Sequence, residues 1–122
     1  MAQCSATILC VDDEPNSLIL RKLVLQKAGY RVLTAESLPR ALEVLSSSPV
    51  DLVLSDQLMP GGTGTELARR IKELFPKLPV IIISGVNELP PDAANADLFI
   101  SKMEGPTAMC QKVASLLQDL PG

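Results

Sequence analysis

At 122 residues the chain has the length of a single domain, enough to bury a full core. Apolar residues make up 47% and aromatics only 2%, so that core is aliphatic, and a net charge of −3 argues against a protein built to grip a phosphate backbone. The complete lack of histidine excludes a Ser-His-Asp triad and a Cys-His nucleophile, while Cys4, Cys10 and Cys110 are too far apart for a zinc site.

Thr7 to Val11 is a short apolar run ending in acid and predicts a first strand. Pro15 suits a first helical turn, with Asp13 or Glu14 near the cap. Leu20, Leu23, Val24 and Ala28 then follow helical spacing, and Gly29 predicts the stop. Arg31 to Ala35 reads as a second strand. Ser37 predicts a helix cap with Pro39 just inside, and Leu38, Ala41, Leu42 and Leu45 form the apolar stripe. Leu52 to Ser55 is a third strand, followed by a flexible loop over Met59-Pro60-Gly61-Gly62-Thr63-Gly64. Thr63 and Glu66 stand in capping-box spacing before Leu67, Ile71 and Leu74. Val80 to Ile83 and Leu98 to Ser101 predict the fourth and fifth strands. Met109, Val113, Leu116, Leu117 and Leu120 mark a last helix. Between Ser84 and Leu98 only a short helix around Asp92–Ala96, or an irregular turn, is expected.

Alternating strands and helices imply a parallel sheet covered on both faces. No apolar run approaches the roughly 20 residues of a membrane span. No basic patch precedes an apolar stretch at the N-terminus, so no signal peptide is expected and the cytoplasm is the expected compartment.

The informative residues lie where strands run out. Asp12 and Asp13 follow the first strand, Asp56 the third, Ser84 the fourth and Lys102 the fifth. In open parallel sheets, ligands bind outside the carboxyl ends of strands. Each of these residues alone has a plain reading: Asp12 and Asp13 as helix-capping acids, Asp56 as a turn residue, Ser84 as a strand-end hydroxyl, Lys102 as a solvated charge. Together they predict one pocket. Two carboxylates about 4 Å apart repel by roughly 4 kcal/mol at an effective dielectric near 20, so such a pocket calls for a cation.

Val11-Asp12-Asp13-Glu14, Asp56 with Met59-Pro60-Gly61, Ser84-Gly85 and Lys102 give the chain a pattern that resembles the receiver domain of bacterial two-component response regulators, over nearly its whole length. The resemblance implies one doubly wound, CheY-like (flavodoxin-like) (βα)5 domain over residues 1–122, with five parallel strands in the order 2-1-3-4-5 and a short or irregular fourth helix. It implies that Asp56 is the phosphoacceptor, and that Asp12, Asp13, Asp56 and the backbone carbonyl of Leu58 hold Mg2+. Lys102 and Ser84 would contact the phosphoryl oxygens, Gly85 would leave room for them, and Phe99 would be the aromatic switch. The implied partners are a sensor histidine kinase or phosphotransfer protein and a downstream protein or effector domain, with no nucleic acid or membrane contact and no enzyme activity beyond the domain's own phosphorylation and dephosphorylation.

The chain departs from that pattern in places. Met103 follows Lys102 where the family has proline after a cis bond, and a cis bond before a non-proline residue costs about 2.5–4 kcal/mol, so a trans bond or a reshaped turn is expected. Apolar Leu58 and Val86 flank the expected site and offer no group to orient water, which predicts slow self-dephosphorylation. The short segment between Ser84 and Phe99 leaves the family's usual dimer in doubt. Two other functions compete: an interaction module that no longer signals by phosphate, and a small Mg2+-dependent phosphohydrolase, for which Gln57-Leu58 supplies no base.

Overall fold

The computed structural model describes residues 6–57, 62–84, 98–101 and 105–118. In chain order these form β1 (Thr7–Val11), α1 (Pro15–Lys27), β2 (Arg31–Ala35), α2 (Leu38–Ser47), β3 (Leu52–Asp56), α3 (Gly64–Leu74), β4 (Val80–Ser84), β5 (Leu98–Ser101) and α4 (Pro106–Gln118). All strand pairs are parallel, as the alternation of strands and helices implies, and the sheet order is β2-β1-β3-β4-β5, as the family resemblance implies. The expected short helix near Asp92–Ala96, the Lys102-Met103 bond and Leu120 lie outside the described residues.

Strand alternation divides the core in two, since successive side chains point to opposite faces. Leu9, Val11, Val53, Val80 and Ile82 meet α2 and α3 through Leu38, Ala41, Leu45, Leu67, Ala68 and Ile71. On the other face Ile8, Cys10, Leu52, Leu54, Ile81 and Ile83 meet Leu18 and Leu25 of α1 and Met109 and Val113 of α4. Every residue of β3 and β4 is buried, which accounts for their continuous apolar runs. Burial pushes the Cys10 thiol up to about 12, so it behaves as a small apolar residue.

The helix ends follow their sequence signals. Ser37 Oγ accepts from the Arg40 N–H at 3.3 Å, and Thr63 Oγ1 accepts from the Glu66 N–H at 3.0 Å. Gly29 has φ of 103° beyond α1, and the Tyr30 N–H closes the turn on the Leu25 carbonyl at 3.1 Å.

Glu14 is the N-cap residue of α1, as expected, although its side chain makes no capping hydrogen bond; the Asp12 carboxylate, two residues earlier, accepts from the Glu14 N–H at 3.0 Å. Two expectations need correction. Of the stripe Leu20, Leu23, Val24, Ala28, only Val24 packs against the core, and it is half-buried. Leu20 is 61% and Leu23 57% exposed, Ala28 is exposed too, and the buried positions of α1 are Leu18 and Leu25. In α3, Leu74 is exposed and Ala68 takes its place beside Leu67 and Ile71.

Candidate functional site

Backbone pairing fixes two acids at adjacent strand ends. The Asp12 N–H donates to the Ala35 carbonyl at 3.1 Å, carrying the β1–β2 ladder one residue past β1. The Gln57 N–H donates to the Ile83 carbonyl at 2.9 Å and pins the residue after Asp56 to β4. Because β1 and β3 are neighbours while β2 and β4 lie outside them, the crevice opens at the point where the winding reverses.

Asp12, Asp13 and Asp56 converge there. Each offers a carboxylate oxygen, and these oxygens all lie within 4.8 Å of one another. Asp12 and Asp56 are buried, whereas Asp13 is exposed. The three acids border an open cavity of about 510 Å³ between α1 and the start of α4, lined also by Arg21, Ile100 and Met109. Three charged oxygen donors, two of them withdrawn from water, suit a hard divalent cation that keeps part of its water shell.

Arg21 lies against this cluster. Its Nη1 donates to Asp12 Oδ2 at 2.7 Å, and the two side chains are 15% and 4% exposed. Both Asp12 oxygens are therefore engaged, Oδ1 by the Glu14 amide and Oδ2 by the guanidinium.

Beyond Asp56 the chain is locked to α3. Gln57 is buried, and its Oε1 accepts from both the N–H and the Oγ1 of Thr65, each at 3.0 Å. The Gly64 N–H donates to the Gln57 carbonyl at 2.9 Å. A Cβ on Gly64 would stand 2.6 Å from the Asp56 carbonyl oxygen, closer than real Cβ atoms come to backbone. This glycine is required by close approach; it does not act as a hinge.

Of the residues singled out in the sequence, Asp12, Asp13 and Asp56 come together. Ser84 is buried at the same sheet edge, one residue beyond Ile83, which pairs in register with Asp56. Ser84 is not among the described residues lining the cavity. Phe99 lies in β5 beside Ile82, but its side chain, like Leu58, Gly85, Val86, Lys102 and Met103, falls outside what is described. The sequence did not single out Arg21 or Thr65, nor the parts that Gln57 and Gly64 play beside Asp56. Arg21 stands on one helical stripe with buried Leu18 and Leu25, where a cation needs a partner, but only the fold shows that this stripe faces inward.

Residues 8–114 match the model of the response regulator receiver domain family. The chain is 36% identical over 118 residues to the response regulator GtcR of Aneurinibacillus migulanus, covering 93% of this chain and 48% of that protein. It is 35% identical over 122 residues to the transcriptional regulatory protein GlrR of Escherichia coli, covering 97% of this chain and 28% of the relative. The chain thus spans half or less of these curated relatives. Among solved structures, the response regulator TrrA from Thermotoga maritima, in complex with Mg2+-BeF, superposes with a TM-score of 0.86 at 34% identity, covering 91% of this chain and 98% of that one. Among the described residues no helix is long and apolar enough to cross a membrane.

Proposed function

We propose, since this chain belongs to the response regulator receiver domain family, that Asp56 accepts a phosphoryl group from a phosphohistidine on a sensor kinase or phosphotransfer protein. The observation that carries this reading is the meeting of Asp12, Asp13 and Asp56 at the switch point of the sheet, with Asp56 buried at the end of β3.

An Asp56 carboxylate oxygen attacks phosphorus. The new O–P bond forms as the P–N bond breaks, and the imidazole leaves with the bonding electron pair. Asp12, Asp13 and Asp56, with the Leu58 carbonyl, would hold Mg2+, which would supply positive charge against the transferring oxygens. The oxygen donors of the three acids fit that ion. Lys102 offsets further charge on the acyl phosphate, and Ser84 donates a hydrogen bond to it. Phosphorylation adds about −1.5 to −2 charges, enough to shift the balance between two conformations of the domain, with Phe99 turning inward in the active one.

The phosphodonor protein must reach Asp56 from the mouth of the cavity. Leu20 lines that cavity, and Ile19 and Leu23 stand exposed on the same helix. This ridge gives the donor an apolar footing beside the acids. Output passes through protein contacts, to a further domain or a separate partner in the cytoplasm. The domain has no turnover activity of its own beyond gain and loss of this phosphoryl group.

Incubation with Mg2+ and acetyl phosphate tests the reading by intact mass. One phosphoryl group is expected on the wild type, and none on Asp56→Asn or on the wild type with EDTA. A wild type that gains nothing, or an Asp56→Asn variant that still gains, overturns it. The first result would leave the chain as a phosphate-silent interaction module.

A further inference from the structure

The acid site already contains a cation of its own. Arg21 Nη1 sits 2.7 Å from Asp12 Oδ2, in a pair that is 15% and 4% exposed. The guanidinium is delivered from below, because Leu18 and Leu25 anchor α1 one helical turn to either side of it. It borders the same cavity as Asp13, Glu14 and Asp56. We propose that Arg21 is an internal counter-ion of the acid site: it pairs with Asp12 and competes with a divalent cation for the same carboxylate. The inference rests on the Mg2+ site named under Proposed function and adds the residue that sets its affinity.

The physical reason is electrostatic. Three carboxylates whose oxygens lie within 4.8 Å repel one another, and two of them are buried where water screens little. One guanidinium offsets part of this repulsion in the folded protein. The same positive charge opposes an incoming divalent cation, and its hydrogen bond occupies the oxygen that Asp12 would otherwise turn toward it. Glu14, on the rim, adds negative charge and draws the cation in, but it is exposed and well screened. Arg21 is thus a positioning residue: it acts through Asp12 and need not touch the phosphoryl group.

The alternative is that Arg21 only props Asp12 in place. The two roles give opposite signs. A counter-ion that is removed leaves the acids hungrier for metal, whereas a prop that is removed leaves them disordered and weaker. Calorimetric titration of MgCl2 into wild type, Arg21→Gln and Arg21→Lys separates them, with thermal unfolding recorded with and without Mg2+. Arg21→Gln is expected to bind Mg2+ about tenfold more tightly than wild type, since a nearby charge of the cation's own sign is gone. Its melting temperature should fall without Mg2+ and recover most of the loss with it. Arg21→Lys keeps the charge and should bind within about threefold of wild type.

Arg21→Gln binding no tighter than wild type overturns the inference, as does a variant that stays unfolded in saturating Mg2+. An equally large tightening in Arg21→Lys also overturns it, because charge would then not be the cause. These results would leave the phosphoacceptor reading intact. A wild type that takes up no Mg2+ at all removes that reading and this one together.

Discussion

Helices α1 and α3 use their apolar residues to opposite ends. In α3 they lie on one stripe: Leu67, Ala68 and Ile71 are buried, while Glu66, Arg69, Arg70 and Glu73 pair with one another on the outer side. In α1 only Leu18 and Leu25 are buried, three large aliphatics face solvent, and the one arginine on the inward stripe serves the acid site. The α3 pattern is what burial alone selects. The α1 pattern is not, which marks α1 as the helix whose surface answers to something besides the fold.

Truncation of one leucine in each helix tests this difference most sharply. Leu67→Ala, at a fully buried position, should cost about 2–5 kcal/mol in urea unfolding. Leu20→Ala should change stability by no more than about 0.5 kcal/mol. Its effect should appear instead in transfer from a phosphorylated protein donor, which slows, while phosphorylation by acetyl phosphate stays at the wild-type rate. Equal losses of stability in the two variants would erase the contrast. A Leu20→Ala protein that receives phosphate from its protein donor normally would leave the exposed ridge without a role.

A smaller effect is expected where α3 meets the site. Gly64→Ala puts a methyl group 2.6 Å from the Asp56 carbonyl oxygen, and the contact is with backbone that cannot swing away. The expected cost is about 1–3 kcal/mol, as for other overpacked positions. Because the atom displaced belongs to Asp56 itself, acetyl phosphate labelling should slow as well. A variant of wild-type stability and rate would show that the turn relaxes freely, and that the Gln57–Thr65 lock does not hold the loop as tightly as its two hydrogen bonds imply.

These contrasts also show what was legible in the sequence. All five strands were, because each is a short run rich in aliphatic residues, wholly buried in β3 and β4, and four of them end at a polar residue on the same sheet edge. The acid cluster followed from the strands, since topology alone brings the ends of β1 and β3 side by side. The inward face of α1 was not legible from spacing. Leu20, Leu23 and Val24 make a plausible stripe, and only the sheet's position shows that Leu18, Arg21 and Leu25 point inward. Gly64 was equally hidden, because the oxygen it must avoid comes from β3 and not from its own turn. Local periodicity reports which residues share a face. It cannot report which face the rest of the chain will cover.

The outer side of α3 gives the last and smallest effect, and its sign with pH is fixed. Glu66 accepts hydrogen bonds from Arg69 and Arg70, three and four residues on, and Arg69 also reaches Glu73. The hydrogen bond from Arg69, aided by that from Arg70, holds the Glu66 carboxyl below its ordinary value of 4.5. A carboxylate whose folded value is depressed stabilises the fold at pH above its unfolded value, and that contribution is lost as pH falls through the folded value. Glu66→Gln should therefore be slightly less stable than wild type at neutral pH and low salt. The gap should close as pH drops below 4.5, and it should also close as salt rises, since every member of the network is exposed to solvent. Paired unfolding curves across pH and ionic strength would check this. A gap that widens on acidification, or that ignores salt, would mean that Glu66 supports α3 through its place in the first turn more than through its arginines.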